Sequence, residues 1–188
     1  MTKTRFTVLA IVTVGAGLAA ATVVAPRMLG NPAITPSTAM WVDHFDTVAE
    51  LRSGVDTVVV ATVLGTRAGR VVEGPGLTPL AFTLADLRVD RNVAGEPLTG
   101  LTVEQTGGRP GDTTLYVNGD GGPYLPGVQY LLFLNRQPDT DFFYLVNPQG
   151  RFAVQGGRLR AVAHDDPVAG RLDGLTVDLA VRTILAAR

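Results

Sequence analysis

Asp56–Arg67 reads DTVVVATVLGTR. Valine and threonine dominate it, and β-branched side chains favour an extended chain over a helix. A half-exposed strand would alternate apolar and polar residues. The run Val58-Val59-Val60 does not alternate, so it predicts a strand covered on both faces. Val128–Asn135 (VQYLLFLN) has the same continuous apolar character and reads as the strongest buried strand of the chain. Between them, Leu80–Val93 (LAFTLADLRVDRNV) alternates, with Phe82, Leu84, Leu87 and Val89 apolar and Thr83, Asp86, Arg88 and Asp90 polar. One shift of phase near Ala85 fits a bulge, which bends a strand in a small barrel.

The remaining elements follow outward from this centre. Arg70–Pro79 reads as a hairpin-like loop with the turn signal Glu73-Gly74-Pro75-Gly76. Leu101–Thr106 (LTVEQT) and Phe142–Val146 (FFYLV) read as strands, and Arg151–Val154 and Leu159–Ala163 form a hairpin about Gln155-Gly156-Gly157-Arg158. A short helix is expected at Asp46–Ser53, with Asp46 as N-cap, Gly54 just past its end, and Phe45, Val48 and Leu51 on one face. A second is expected at Thr176–Ala187, capped by Thr176 and burying Leu175, Leu179, Val181 and Ile184. Twenty-two glycines and twelve prolines agree with many turns. A small closed barrel accommodates these strands, and a two-sheet sandwich is the alternative.

The 188 residues suit one domain with a tail. There is no cysteine, which excludes disulfides, thiolate zinc sites, cysteine nucleophiles and a lipid-modified cysteine. Only two serines (Ser37, Ser53), two histidines (His44, His164) and one lysine (Lys3) are present, and fifteen of the sixteen basic residues are arginine.

Lys3 and Arg5 precede an uncharged stretch, Phe6–Ala25, of 20 residues. Two readings fit. In the first, residues 1–29 hold a cleaved secretory signal with its core at Phe6–Leu18 and an A-x-A site at Ala19-Ala20-Ala21. In the second, residues 6–25 are an uncleaved anchor, since twenty residues of helix span about 30 Å of hydrocarbon. Both place the rest of the chain outside the cytoplasm. A Pro-containing linker, 30–43, would then lead into a single domain, 44–188. The first thirty residues carry three basic groups and no acid, so the remainder has 13 basic and 17 acidic residues and a net charge of −4. A mildly acidic domain with few aromatics is not expected to bind nucleic acid.

The succession Val55–Val63 (VDTVVVATV), Phe82–Gly95 (FTLADLRVDRNVAG), Leu101–Gly108 (LTVEQTGG), Leu125–Asn135 (LPGVQYLLFLN) and Gly150–Leu159 (GRFAVQGGRL) resembles exported actinobacterial proteins with a domain similar to the netrin/TIMP-like OB-fold barrel. The resemblance covers roughly Val55–Val162. It implies a mainly β fold: a small closed or partly open OB-like barrel, with a short helix before it and a C-terminal helix. In inhibitors of the TIMP type a processed N-terminal cysteine approaches the target's zinc. Nothing here matches that cysteine, so no inhibitory residue carries over, and fold alone does not give function.

The chemical inventory is short. Ser37 and Ser53 lack a Gly-x-Ser-x-Gly elbow. Lys3 precedes the membrane segment. His164-Asp165-Asp166 reads as a solvated turn before the last helix, and the loops holding Asp112, Asn118 and Asp120 or Asp139 and Asp141 lack the spaced calcium pattern. No cofactor and no metal are expected. Trp41 reads as a hydrophobic staple or a membrane-interface aromatic. The long Gly107–Gly127 connection is the expected recognition surface, with Arg109, Tyr116 and Tyr124 as partner contacts. These readings describe a non-enzymatic extracytoplasmic binding or structural module whose partner is an envelope protein or wall component. The alternative is a hydrolase of a cell-wall component that uses a carboxylate pair.

Overall fold

The computed structural model describes residues 44–74, 79–108 and 121–187. The segment 6–25, the linker 30–43 with Ser37 and Trp41, and residues 109–120 lie outside the described residues. Seven strands form one sheet: β1 (Thr57–Val72), β2 (Leu80–Ala94), β3 (Gly100–Thr106), β4 (Gln129–Arg136), β5 (Phe142–Leu145), β6 (Arg151–Gln155) and β7 (Arg158–Ala161). Helix α1 (Val48–Ser53) precedes them, and α2 (Pro167–Gly170) and α3 (Val177–Ala186) follow.

The sheet runs β1-β2-β3-β5-β4-β6-β7, and β1 also pairs with β4. That extra pairing turns five strands into a ring. It joins Thr57–Thr62 antiparallel to Leu134–Gln129, while β3 meets β5 in parallel through only Thr102–Phe142 and Val103–Phe143. The ring is therefore partly closed, and the sandwich alternative is excluded. β5 and β6 both run along β4, separated by a 3-10 turn at Pro148–Gly150. Gly150 is required there by close approach: a Cβ would lie 2.9 Å from Phe133 Cβ and 3.0 Å from Val146 Cγ1.

Both faces of β1 and β4 are buried, as the valine run predicts. Val59, Ala61 and Val63 point into the ring with Ala85, Leu87, Leu101, Val103, Leu132, Leu134, Phe143 and Leu145. Val58 and Val60 point outward with Leu131 and Phe133, where Val48 and Leu51 of α1, Val168 and Ala169 of α2, and Ala180, Val181 and Ile184 of α3 cover them. The β6–β7 hairpin turns at Gly156 and Gly157, both with positive φ, the geometry a two-residue turn needs to match strand twist.

Several local expectations shift. Thr47, not Asp46, caps α1: its hydroxyl accepts from Glu50 N at 3.0 Å, and the Glu50 carboxylate accepts from Asp46 N at 2.9 Å. Gly54 has φ −84°, so its need is room for the Phe45 ring, which lies 2.5 Å from where a Cβ would sit. Leu179 is 42% exposed, because the buried stripe of α3 falls on Ala180, Val181 and Ile184. The bulge expected near Ala85 lies across the ladder: Leu64 is the extra residue between Val63–Leu87 and Gly65–Asp86.

The turn expected at His164-Asp165-Asp166 is present, and helix α2, not foreseen, follows it directly with Asp166 as its cap. Asp166 accepts from Val168 N (2.8 Å) and Ala169 N (3.0 Å), while His164 and Asp165 remain exposed. Its other oxygen accepts from Gln149 Nε2 at 2.9 Å. Gln149 is 4% exposed and fully engaged, donating also to Phe45 O and accepting from Phe45 N and Asn147 Nδ2. One buried amide thus ties the chain before α1 to α2. Burial opposes ionisation of Asp166, but the Ala169, Gln149 and Val168 hydrogen bonds outweigh it and hold the carboxyl below its ordinary 3.8. The unfolded chain therefore takes up this proton first, and the contribution is lost as pH falls from about 4 toward the lower folded value. Asp166→Asn is expected to lower the melting temperature at neutral pH and to flatten part of its fall below about pH 4, read by circular dichroism. An unchanged acid-side slope would contradict this role.

Candidate functional site

The connection from β3 to β4 is anchored at both ends by buried side chains. At its start Gly107 and Gly108 take positive φ (96° and 74°), and Gly107 N donates to Ala81 O at 2.7 Å. Thr83, 5% exposed, directs its hydroxyl at Gly107 O (2.8 Å) and Gly108 O (2.7 Å). At its return Gly121 (φ 83°) packs so closely on Val162 that a Cβ would lie 2.5 Å from a methyl. Gly122 O accepts from Gln105 Nε2 (2.9 Å) and Arg151 Nη1 (2.7 Å), and Pro123 O faces Arg151 Nη2 at 3.3 Å.

Arg151 is the centre of this footing. It is 1% exposed, the largest fully buried side chain among the described residues. The 3-10 turn delivers it to the first position of β6, opposite Leu132, so it faces the inside of the ring. Its guanidinium carbon lies 4.0 Å from the Tyr124 ring centroid and 5.1 Å from that of Tyr130. The two rings meet edge-to-face at 5.3 Å and 77°. A cation taken from water needs compensation, and carbonyl dipoles with π faces supply part of it. Leu125 N donates to Tyr130 Oη at 3.4 Å, and Gly127 N to Val63 O at 2.8 Å, which returns the chain to the ladder.

The expected contact residues therefore part company. Tyr124 is 3% exposed and belongs to the ring interior, so it supports the connection from beneath. Arg109 and Tyr116 lie outside the described residues. Arg151, Gln105 and Thr83 were not singled out by sequence reasoning. Arg151 follows directly on the turn signal Asn147-Pro148-Gln149-Gly150, and an arginine opening a strand otherwise reads as solvent-facing.

The other chemical groups are dispersed. Ser53 Oγ donates to Glu50 O at 3.1 Å, a helix-end bond. His44 lies 3.9 Å from Asp46, and His164 lies 3.4 Å from Asp165, all exposed. Among the described residues no group of three or more His, Asp or Glu could share a metal ion. Carboxylates act as frame acceptors: Asp86 takes Arg67 and Thr102, and Glu104 takes Arg70 in a bidentate pair at 2.8 and 3.1 Å. Burial opposes ionisation of Asp90, but hydrogen bonds from Thr62, Gln129 and Arg88 prevail and hold it below the usual range. Clefts of about 340 and 270 Å³ flank Arg136, the first lined by residues 136–141, the second by Asp56, Thr57, Glu96, Leu98 and Phe143.

No family model, curated protein or solved structure matches this chain.

Arg151→Met keeps much of the volume but removes the cation and its donors. It is expected to destabilise the protein by about 3 kcal/mol, since the Gly122 and Pro123 carbonyls lose a charged donor and the Tyr124 and Tyr130 rings lose the guanidinium packed on them. That corresponds to a fall of roughly 6–12 °C in melting temperature for a domain of this size. A melt unchanged within about 2 °C would show that Arg151 does not hold the connection.

Proposed function

We propose that this chain is a non-enzymatic extracytoplasmic binding module, exported or tethered through residues 6–25, which recognises an envelope protein or wall component through residues 109–120. The observation that carries this reading is the double anchorage of that connection by Thr83, Gln105 and Arg151. A long connection on rigid ends is how a scaffold commonly offers recognition residues. Arginine and tyrosine, here Arg109 and Tyr116, are types enriched among residues that dominate binding energy. The resemblance to exported barrel proteins supports the location.

A carboxylate hydrolase would need an acid whose pKa is raised. Asp90 and Asp166 are shifted the other way, and Asp86 and Glu104 are committed to arginines. These commitments favour the binding reading.

The test is affinity capture from an envelope fraction with the full-length chain. A second form carries a Gly/Ser segment of equal length at 109–120. The intact chain is expected to enrich one defined protein or wall component. The replaced chain should lose it while melting at the same temperature. Arg109→Ala and Tyr116→Ala should each weaken capture roughly fivefold or more. No enrichment by the intact chain, or equal capture by both forms, would contradict the proposal.

A further inference from the structure

We propose that the free edge of β1 at Gly65–Ala68 pairs with the same edge of a second copy of this chain, antiparallel and centred on Thr66. The proposal rests on how β4 ends. β4 accompanies β1 only along Thr57–Thr62, with one further contact at Val63, and the chain then leaves through Gly127. β1 continues to Val72, paired on its other side with β2 alone. Nine residues, Leu64–Val72, therefore have no strand on the β4 side among the described residues. An edge of this length is a template for another strand.

Arginines commonly protect such an edge by charge, and Arg67 and Arg70 occupy it. Here that protection is reduced, because each arginine is paired with a carboxylate of its own chain. Arg67 binds Asp86 through Nε (3.1 Å) and Nη2 (3.4 Å), and Arg70 binds Glu104 in the same two-pronged way. Gly65 leaves backbone without side-chain cover, and nothing lies within 4 Å of where its Cβ would be. Apolar side chains gather along the same edge: Leu64 is 63% exposed, Val71 42% and Val72 44%.

The ladder narrows the register. Two bulges, at Leu64 and between Ala68 and Val71, bracket one regular run, Gly65–Ala68. In a regular antiparallel strand alternate residues send both N–H and C=O to the free edge, and two directly opposite residues either both do so or both do not. A symmetric self-pairing must then centre on a residue. Centring on Arg67 would set like charges opposite each other, which is unfavourable. Centring on Thr66 puts threonine opposite threonine, a favourable cross-strand pair. It also sets the glycine gap at 65 opposite Arg67 of the partner subunit, and Leu64 opposite Ala68 of the partner subunit. The contact is short, so the dimer is a weak one.

The absence of native cysteine makes this register directly measurable. Thr66→Cys, Leu64→Cys and Ala68→Cys are made one at a time in the full-length chain, purified in detergent micelles and mildly oxidised. Opposed Thr66 positions lie about 5 Å apart. The 64–64 and 68–68 pairs are four residues out of register, about 13 Å apart and beyond disulfide reach. Thr66→Cys is expected to give roughly tenfold more disulfide-linked dimer than either neighbour alone. A mixture of the Leu64→Cys and Ala68→Cys chains should cross-link where each alone does not. Melting curves matching the unsubstituted chain confirm that these exposed positions tolerate cysteine. Equal yields at the three positions, or no linked dimer at Thr66, would overturn the proposal.

Discussion

Six residues of β1 lying against six of β4 decide this molecule. Without that pairing the sheet is an open ribbon with a β3–β5 junction of only two residue pairs. With it, each residue of Val58–Ala61 buries its side chain in one of two cores, odd positions inside the ring and even positions beneath the helices. At about 25 cal/mol per Å² of apolar surface, strands buried on both faces return roughly twice the hydrophobic stabilisation of half-exposed ones. The helices are therefore part of the barrel's stability, since α1, α2 and α3 cover what would otherwise be an apolar outer wall.

A chain without cysteine must fasten its long connections by other means. Here the fasteners are buried polar side chains that reach between segments distant in sequence. Gln149 holds Phe45, 104 residues away, and Asp166. Arg151 and Gln105 hold Gly122, and Thr83 holds Gly107 and Gly108. Glu104 holds Arg70, whose guanidinium lies 4.6 Å over the Phe82 ring. Each bond adds little net energy, but removing one partner exposes the full desolvation cost of the other. Such sites specify one arrangement of the chain.

Much of this was legible in the residues. Val58-Val59-Val60 announced burial on both faces, Gly156-Gly157 announced its hairpin, and Thr176 announced the cap of α3, because each signal is local and has one physical reading. What was not legible depends on partners far along the chain. Thr47 and Asp46 are both good caps, and in the fold it is the Thr47 hydroxyl that meets Glu50 N. Leu179 lost its expected place because the covering surface lies under Ala180 and Val181. The phase shift near Ala85 pointed to a bulge within Leu80–Val93, but that stretch pairs regularly with β3 and the extra residue is Leu64 on the facing strand β1. Arg151 was invisible for the same reason: its burial is set by Tyr124, Tyr130 and two carbonyls that arrive from another part of the chain.

The central claim is that the barrel end is a rigid footing for residues 109–120. Hydrogen exchange at single-amide resolution on the full-length protein tests it directly. Gly107, Leu125 and Gly127 donate to Ala81 O, Tyr130 Oη and Val63 O. They are expected to be protected to the same degree as the amides of β3 and β4, opening only with the barrel itself. Exchange at these three amides as fast as in an unstructured peptide, with the strands still protected, would contradict the account.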